Sequence, residues 1–196
     1  MNYVAIEAAH HPQVVVLAFI LMSNHVHFVL KGTRKDVVDF VESFKQRYSL
    51  YYQKKYGTKE FLRRNGVDIK EIPYENEAPE KVIAYVQMNS VAANICAFCN
   101  QYPWGTGNLF FNASTPKGIK IGSMSDRAKQ KALHSNYTKL PDHWILGEDG
   151  YIIQGPGYPC RFARSLPEPF PERVLLCVNG RRTVRISQAT EIPLQC

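Results

Sequence analysis

Ala18-Phe19-Ile20-Leu21-Met22-Ser23-Asn24-His25-Val26-His27-Phe28-Val29-Leu30 is apolar enough, and long enough, for two strands and a tight turn. Val14 to Leu21 reads as a continuous strand of the buried type, and Asn24 to Leu30 as its partner across the Met22-Ser23 turn. Side chains alternate along a strand, so His25 and His27 point one way while Val26 and Phe28 point the other. Two imidazoles on one sheet face can hold a divalent ion between them when an oxygen donor arrives from elsewhere in the chain. The same spacing also suits two histidines on a half-exposed edge strand, and spacing alone does not choose.

Outward from this hairpin, the pattern changes to a helical period. Thr33 can cap a helix with Asp36 behind it, and Val37, Phe40, Val41, Phe44, Tyr48 and Tyr51 recur at three- and four-residue steps. An amphipathic helix is predicted from Thr33 to about Lys55, its outer face carrying Lys35, Lys45, Arg47, Lys54 and Lys55. Such a face is either simply solvated or contacts phosphates, which would position nucleic acid without reading its sequence. Upstream, Tyr3, Val4, Ile6 and three alanines before His10-His11-Pro12 suit the last turns of a helix ending at the proline. Downstream, Asn65-Gly66 fits a hairpin turn, with Arg63 and Arg64 beside it as candidate phosphate contacts. Val67, Ile69 and Ile72 then suggest a short strand.

A second long helix is predicted from Asn76 to about Phe98, with Pro79 tolerated in its first turn. Val82, Val86, Ala93 and Cys96 mark its buried stripe. Tyr85 and Asn89 lie one helical turn apart, hence on the same side. Asn100 to Phe111 reads as a loop anchored by Tyr102, Trp104 and Phe110, and Ser114 to Ser123 as a connection. Asp126 to Leu133 is a short basic helix.

Composition narrows the class. The 196 residues carry 24 Lys and Arg against 17 Asp and Glu, a net +7 that favours a polyanionic partner. Eleven tyrosines could supply stacking surfaces for unpaired bases. The five cysteines, odd in number and irregularly spaced, read as reduced thiols of a cytoplasmic protein rather than a disulfide framework. Cys96 and Cys99 have no second pair or nearby His to complete a zinc site. The opening lacks a basic n-region with a signal-like apolar stretch, and Ser, Asn and two His interrupt the run around residues 14 to 30, so neither secretion nor membrane spanning is indicated.

Met22-Ser23-Asn24-His25-Val26-His27-Phe28-Val29-Leu30 resembles the His-hydrophobic-His signature of the IS200-like single-tyrosine transposases. It is most similar to their REP-associated branch, where a proline is usual at the place of Ser23. Tyr85-Val86-Gln87-Met88-Asn89-Ser90-Val91-Ala92-Ala93, followed by Tyr102-Pro103-Trp104-Gly105-Thr106, resembles that branch's nucleophile helix and its Tyr-Pro-Trp segment, with Ser90 where a proline often follows the asparagine. The resemblance covers roughly residues 10 to 155. It implies an α+β fold, an antiparallel sheet of ferredoxin-like or RNA-recognition-like form with both long helices packed on one face. It implies Tyr85 as the nucleophile on single-stranded or hairpin DNA, through a 5′-phosphotyrosine link, with Mg2+ or Mn2+ held by His25, His27 and Asn89. Lys45, Arg47, Arg63, Arg64, Tyr102 and Trp104 are the candidate DNA contacts.

Family members carry a further strand of the central sheet before the first helix. None precedes Tyr3, so residues 1–112 are expected to form the catalytic domain without that strand. Residues 113–155, with Leu140-Pro141-Asp142-His143-Trp144 and Gly150-Tyr151, form a family-like extension. Residues 156–196 are expected to be a divergent, poorly ordered tail punctuated by Pro156, Pro159, Pro167, Pro169 and Pro171, with strand signals only at Val174 to Val178 and Thr183 to Ile186. Two alternatives remain beside the transposase: an inactive or domesticated domain that binds structured nucleic acid without cutting, and a phosphohydrolase using water. A covalent DNA adduct at Tyr85 separates them. Monomer and homodimer fit the sequence equally.

Overall fold

The hairpin is present: β1 (Val15–Leu21) pairs antiparallel with β2 (His25–Gly32), and Ile20 lies opposite His27. The computed structural model describes residues 1–23, 25–57, 66–73, 76–111, 117–153 and 173–180, with 109–111, 153 and 173–180 described through their backbone alone. Arg63, Arg64, Asn65, the prolines from Pro156 to Pro171 and the expected Thr183 to Ile186 strand lie outside these residues.

Both faces of the hairpin are apolar, so both must be covered. Val16 and Phe19 of β1, with Val26, Phe28 and Leu30 of β2, form one buried face. It packs against Val4 of α1 (Asn2–His10) and Val37, Phe40, Val41 and Phe44 of α2 (Arg34–Tyr56). The other face presents Leu17, Ala18, Ile20 and Val29, and is covered by Val86 of α3 (Ala78–Ala92) with Val82, Ile83 and Tyr85 beside it. The expected single helical face is therefore corrected: α2 and α3 lie on opposite sides. A register shift between Val16 and Ala18 gives the α3 face two consecutive apolar side chains, Leu17 and Ala18.

The ends of the helices follow from local chemistry. The Thr33 hydroxyl accepts from the Asp36 amide to cap α2, which stops at Gly57 in the left-handed region, φ 72°. α3 is shorter than its pattern suggests. Asn94 takes φ 54° and donates to the Val91 carbonyl while Ile95 donates to Ser90, a Schellman ending that releases the chain well before Phe98. Ala93, expected in the buried stripe, is exposed.

The stretch after α3 is not a free loop. Gly105 bridges Ile20, the Leu21 amide donates to the Trp104 carbonyl at 2.8 Å, and the Thr106 hydroxyl both accepts from and donates to the backbone of Phe19 at 3.1 Å. Tyr102–Thr106 thus straps the outer edge of β1. A Cβ at Gly105 would come within 3.0 Å of the Phe19 carbonyl oxygen, so glycine permits the close approach. Helix α4 (Thr106–Phe111) follows. Beyond it, β4 (Gly118–Lys120), β5 (Ile145–Gly147) and β6 (Ile152–Ile153) make a second small sheet, joined by α5 (Asp126–Leu133). Its core, Ile121, Leu133, Leu140, Trp144 and Ile152, closes on Ala5 and Ile6 of α1. No helix among the described residues is long and apolar enough to cross a membrane.

The main sheet has the order β1-β2-β7-β3, with β3 (Val67–Ile72) at the far edge and β7 (Arg173–Gly180) between β2 and β3. The strand beside the histidines therefore comes from the stretch expected to be a tail, and it pairs antiparallel on both sides. Leu176 lies opposite Val29 on one side and Lys70 on the other. Proline at Leu176 removes a ladder amide from the middle of the sheet, and we expect Leu176→Pro to lose about 1–3 kcal/mol in urea unfolding for the carbonyl left unpaired. An unchanged urea midpoint would show that β7 is not part of the stable sheet.

Candidate active site

Strand alternation places His25 and His27 on the face covered by α3. Their ring centroids are 4.7 Å apart at 86°. His27 is 1% exposed, and neither of its ring nitrogens has a hydrogen-bond partner among the described residues. Burial pushes its pKa down to about 4, with His25 adding to the effect, and burial also lowers His25. Both imidazoles are therefore neutral near pH 7, the protonation state in which a ring nitrogen can ligate a cation. A buried polar group left unpaired costs about 1–3 kcal/mol. The orphaned ring of His27 is thus suited to a cation that its surroundings do not otherwise replace.

α3 brings Tyr85 to this pair: its half-buried ring lies 5.9 Å from that of His27, edge-on at 81°. Burial raises the Tyr85 pKa, so the hydroxyl is harder to ionise than a free phenol. Asn89 sits one turn further along the same helix. Its amide nitrogen donates to the Tyr85 carbonyl at 2.8 Å and to the Val86 carbonyl at 3.3 Å. Carbonyls only accept, so the nitrogen is committed to the helix and the side-chain oxygen is the end left to offer a cation. Among the described residues no three His, Cys, Asp or Glu side chains gather into a metal-binding group. Asn89, one turn from Tyr85 on the helix that covers the histidine face, is the candidate oxygen donor beside the imidazole pair.

The structure divides the candidate DNA contacts. Lys45 and Arg47 are not on an outer face, which corrects the helical-wheel reading. Lys45 is 6% exposed, with its amine 2.9 Å from Glu42. Arg47 turns toward Glu7, a fully buried carboxylate on α1, and its guanidinium lies 5.3 Å from the ring centroid of Tyr137. The Arg47–Glu7 contact is an ion pair rather than a well-angled hydrogen bond. His11 also approaches Glu7, at 3.4 Å. A wheel counts charges but does not see the neighbouring helix that requires one. The signal was there in α1, where Glu7 is the single acidic residue in a run of Val, Ala and Ile. The Tyr102 hydroxyl donates to the Leu21 carbonyl at 2.7 Å and so holds the strap. Trp104 stays 38% exposed, and Lys54 and Lys55 are exposed at the end of α2. Arg63 and Arg64 fall outside the described residues.

Comparison with known families agrees with the first part of the chain. The family model described as Transposase IS200 like matches residues 1–71, a span that contains His25 and His27 and ends before Tyr85. No match was found among curated proteins or among solved structures.

Removing the Arg47 charge leaves Glu7 buried without its main counter-ion, so Arg47→Met should cost about 3–5 kcal/mol in urea unfolding. Glu7→Gln in the same chain should restore much of that loss. Weakened DNA binding at unchanged stability would instead return Arg47 to the nucleic-acid surface. For His27 the sign runs with pH. Between the ordinary histidine value of 6.5 and its own value of about 4, the unfolded chain holds a proton that the folded chain does not. The associated stability is fully present above that window and is lost as pH falls through it. Wild type should therefore lose stability across pH 6.5 to 4 more steeply than His27→Gln, and parallel curves would refute the assignment.

Proposed function

We propose, from the match of residues 1–71 to the IS200-like transposase family, that this chain cleaves and rejoins single-stranded DNA with Tyr85 as the nucleophile. The observation that carries the reading is the buried, neutral ring of His27, without a hydrogen-bond partner among the described residues and in contact with the ring of Tyr85. The substrate class that fits is a hairpin-forming strand, whose unpaired flank can reach the tyrosine while the duplex stem rests on basic surface.

Tyr85 gives up its phenolic proton and its oxygen attacks phosphorus in line with the 3′ oxygen. The bond from phosphorus to that oxygen breaks, and the leaving oxygen takes up a proton as a free 3′-hydroxyl. The 5′ side stays joined to Tyr85 as a phosphodiester, so a 3′-hydroxyl attacking it reverses the step and rejoins strands without ATP. Mg2+ or Mn2+ bound by His25, His27 and the Asn89 side-chain oxygen would offset charge on the non-bridging phosphate oxygens and ease ionisation of the phenol. His27 contributes by being neutral before the cation arrives, so no proton must leave first. α3 contributes by carrying nucleophile and third ligand on one rigid element, one turn apart. Burial of Tyr85, which opposes ionisation, also supports the second reading: a domain that binds hairpins and does not cut unless a cation offsets that burial.

Tyr85→Phe keeps the ring and removes the hydroxyl, so folding, Mn2+ binding and hairpin binding should stay close to wild type while cleavage is abolished. The measurement is strand scission on labelled hairpins with Mn2+, together with a denaturation-resistant adduct mapped by peptide mass. Paired His25→Ala and His27→Ala substitutions should weaken Mn2+ binding clearly. Scission surviving Tyr85→Phe, or an adduct on another tyrosine, would overturn the assignment. A folded wild type that binds hairpins and cuts none would establish the second reading.

A further inference from the structure

The last turn of α2 and the strap after α3 expose aromatic rings at the same end of the sheet as the histidines. α2 runs back along β2: Val37 lies by Gly32, Phe40 and Phe44 pack on Phe28, and the turns after Tyr48 continue in the direction of the His25 end of the strand. At that end Tyr56 is 57% exposed, its ring centroid is 4.6 Å from that of Tyr52, and the Lys55 amine lies 5.2 Å from it and 5.6 Å from Tyr51. Trp104 is fixed there from the other side. Its carbonyl accepts from Leu21, whose neighbour Met22 donates to the carbonyl of His25. The Trp104 ring meets Tyr151 edge-on at 5.3 Å, and Tyr151 lies within electrostatic range of Tyr51 and Lys55.

An exposed indole, and phenol rings with the Lys55 ammonium over two of them, match unpaired nucleobases on a phosphate backbone, since the rings stack on bases of any sequence and the cation attracts the strand. A packed apolar core does not need Lys55 above two rings, and a purely solvated surface does not need the indole of Trp104. We propose that Trp104, Tyr151, Tyr51, Lys55 and Tyr56 form a stacking platform for the single-stranded flank of the DNA, on the α2 side of the sheet. A strand leaving this platform passes over the β1–β2 turn to reach the histidine face. The proposal rests on the reading of the chain as a handler of single-stranded DNA, and it gives residues 117–153 a part in that role through Tyr151.

Two DNA probes test it: a hairpin with short single-stranded flanks and the same hairpin with blunt ends, both measured by fluorescence anisotropy against the full chain. Wild type should bind the flanked hairpin more tightly by on the order of ten-fold or more, as stacking of one or two bases implies. Trp104→Ala with Tyr56→Ala should erase that preference and leave the blunt hairpin unchanged. Abasic sites in the flanks should erase it too, with the wild-type protein and no risk to its folding. A double variant that keeps the full preference, or a wild type that shows none, overturns the platform. The Tyr85 adduct separates the two claims. Adduct without flank preference removes the platform and leaves the nucleophile, whereas flank preference without adduct supports the platform and removes the cutting reaction.

Discussion

A hairpin that is dry on both faces constrains everything else in this protein. β2 has apolar neighbours above and below and a paired strand on each side, so a polar side chain in its middle has no water to turn to. His27 is placed there by nothing more than the two-residue period of the strand. Desolvation sets its charge state, and the absence of a hydrogen-bond partner among the described residues leaves its lone pair for some other use. α3 completes the constraint, since the helix that seals the second face is also the one that carries Tyr85 and Asn89.

The buried Glu7 works by the opposite logic. A carboxylate at the interface of α1 and α2 takes a guanidinium from the neighbouring helix and an imidazole from His11, the residue just past the end of its own. The arrangement selects one relative placement of those helices, because any other leaves a charge in apolar surroundings. α1 is held again on its far side, where Asn2 donates to the Gly150 carbonyl at 2.9 Å and accepts from the Ile152 amide, and the Tyr3 hydroxyl donates to the His134 carbonyl. One short helix thus belongs to two cores, and the boundary between the main sheet and residues 117–153 is a shared element rather than a linker.

Local pattern was enough for much of this. The β1–β2 hairpin, the Thr33 cap, the period of α2, the strand at Val67–Ile72 and the helix at Asp126–Leu133 all follow from nearest-neighbour chemistry, and each lies where the residues indicated. Where pattern failed, the deciding interaction was remote. Which face α3 would choose had no local signal, because both faces of the hairpin are apolar. Lys45 and Arg47 looked solvated because a single helix cannot reveal a buried acid on another. The Tyr102–Thr106 strap lacks any alternation of its own and is a sheet edge only because β1 has unpaired groups to offer. The strand signal at Val174 to Val178 was readable, but its position in the sheet was not, since pairing partners so far apart in sequence leave no local trace.

That last separation has a consequence in time. About a hundred residues must be synthesised between β3 and β7, which at ribosomal speeds of ~5–20 residues per second is roughly 5–20 seconds. During that interval the strand that pairs with both β2 and β3 has not been made, so neither of those edges has its partner. Bare edges of this kind attract other strands, including those of sister chains on the same message. The protein is thus born with its most sticky surface exposed and its remedy still untranslated, so chaperone supply and local translation speed become part of how much folded product a cell obtains.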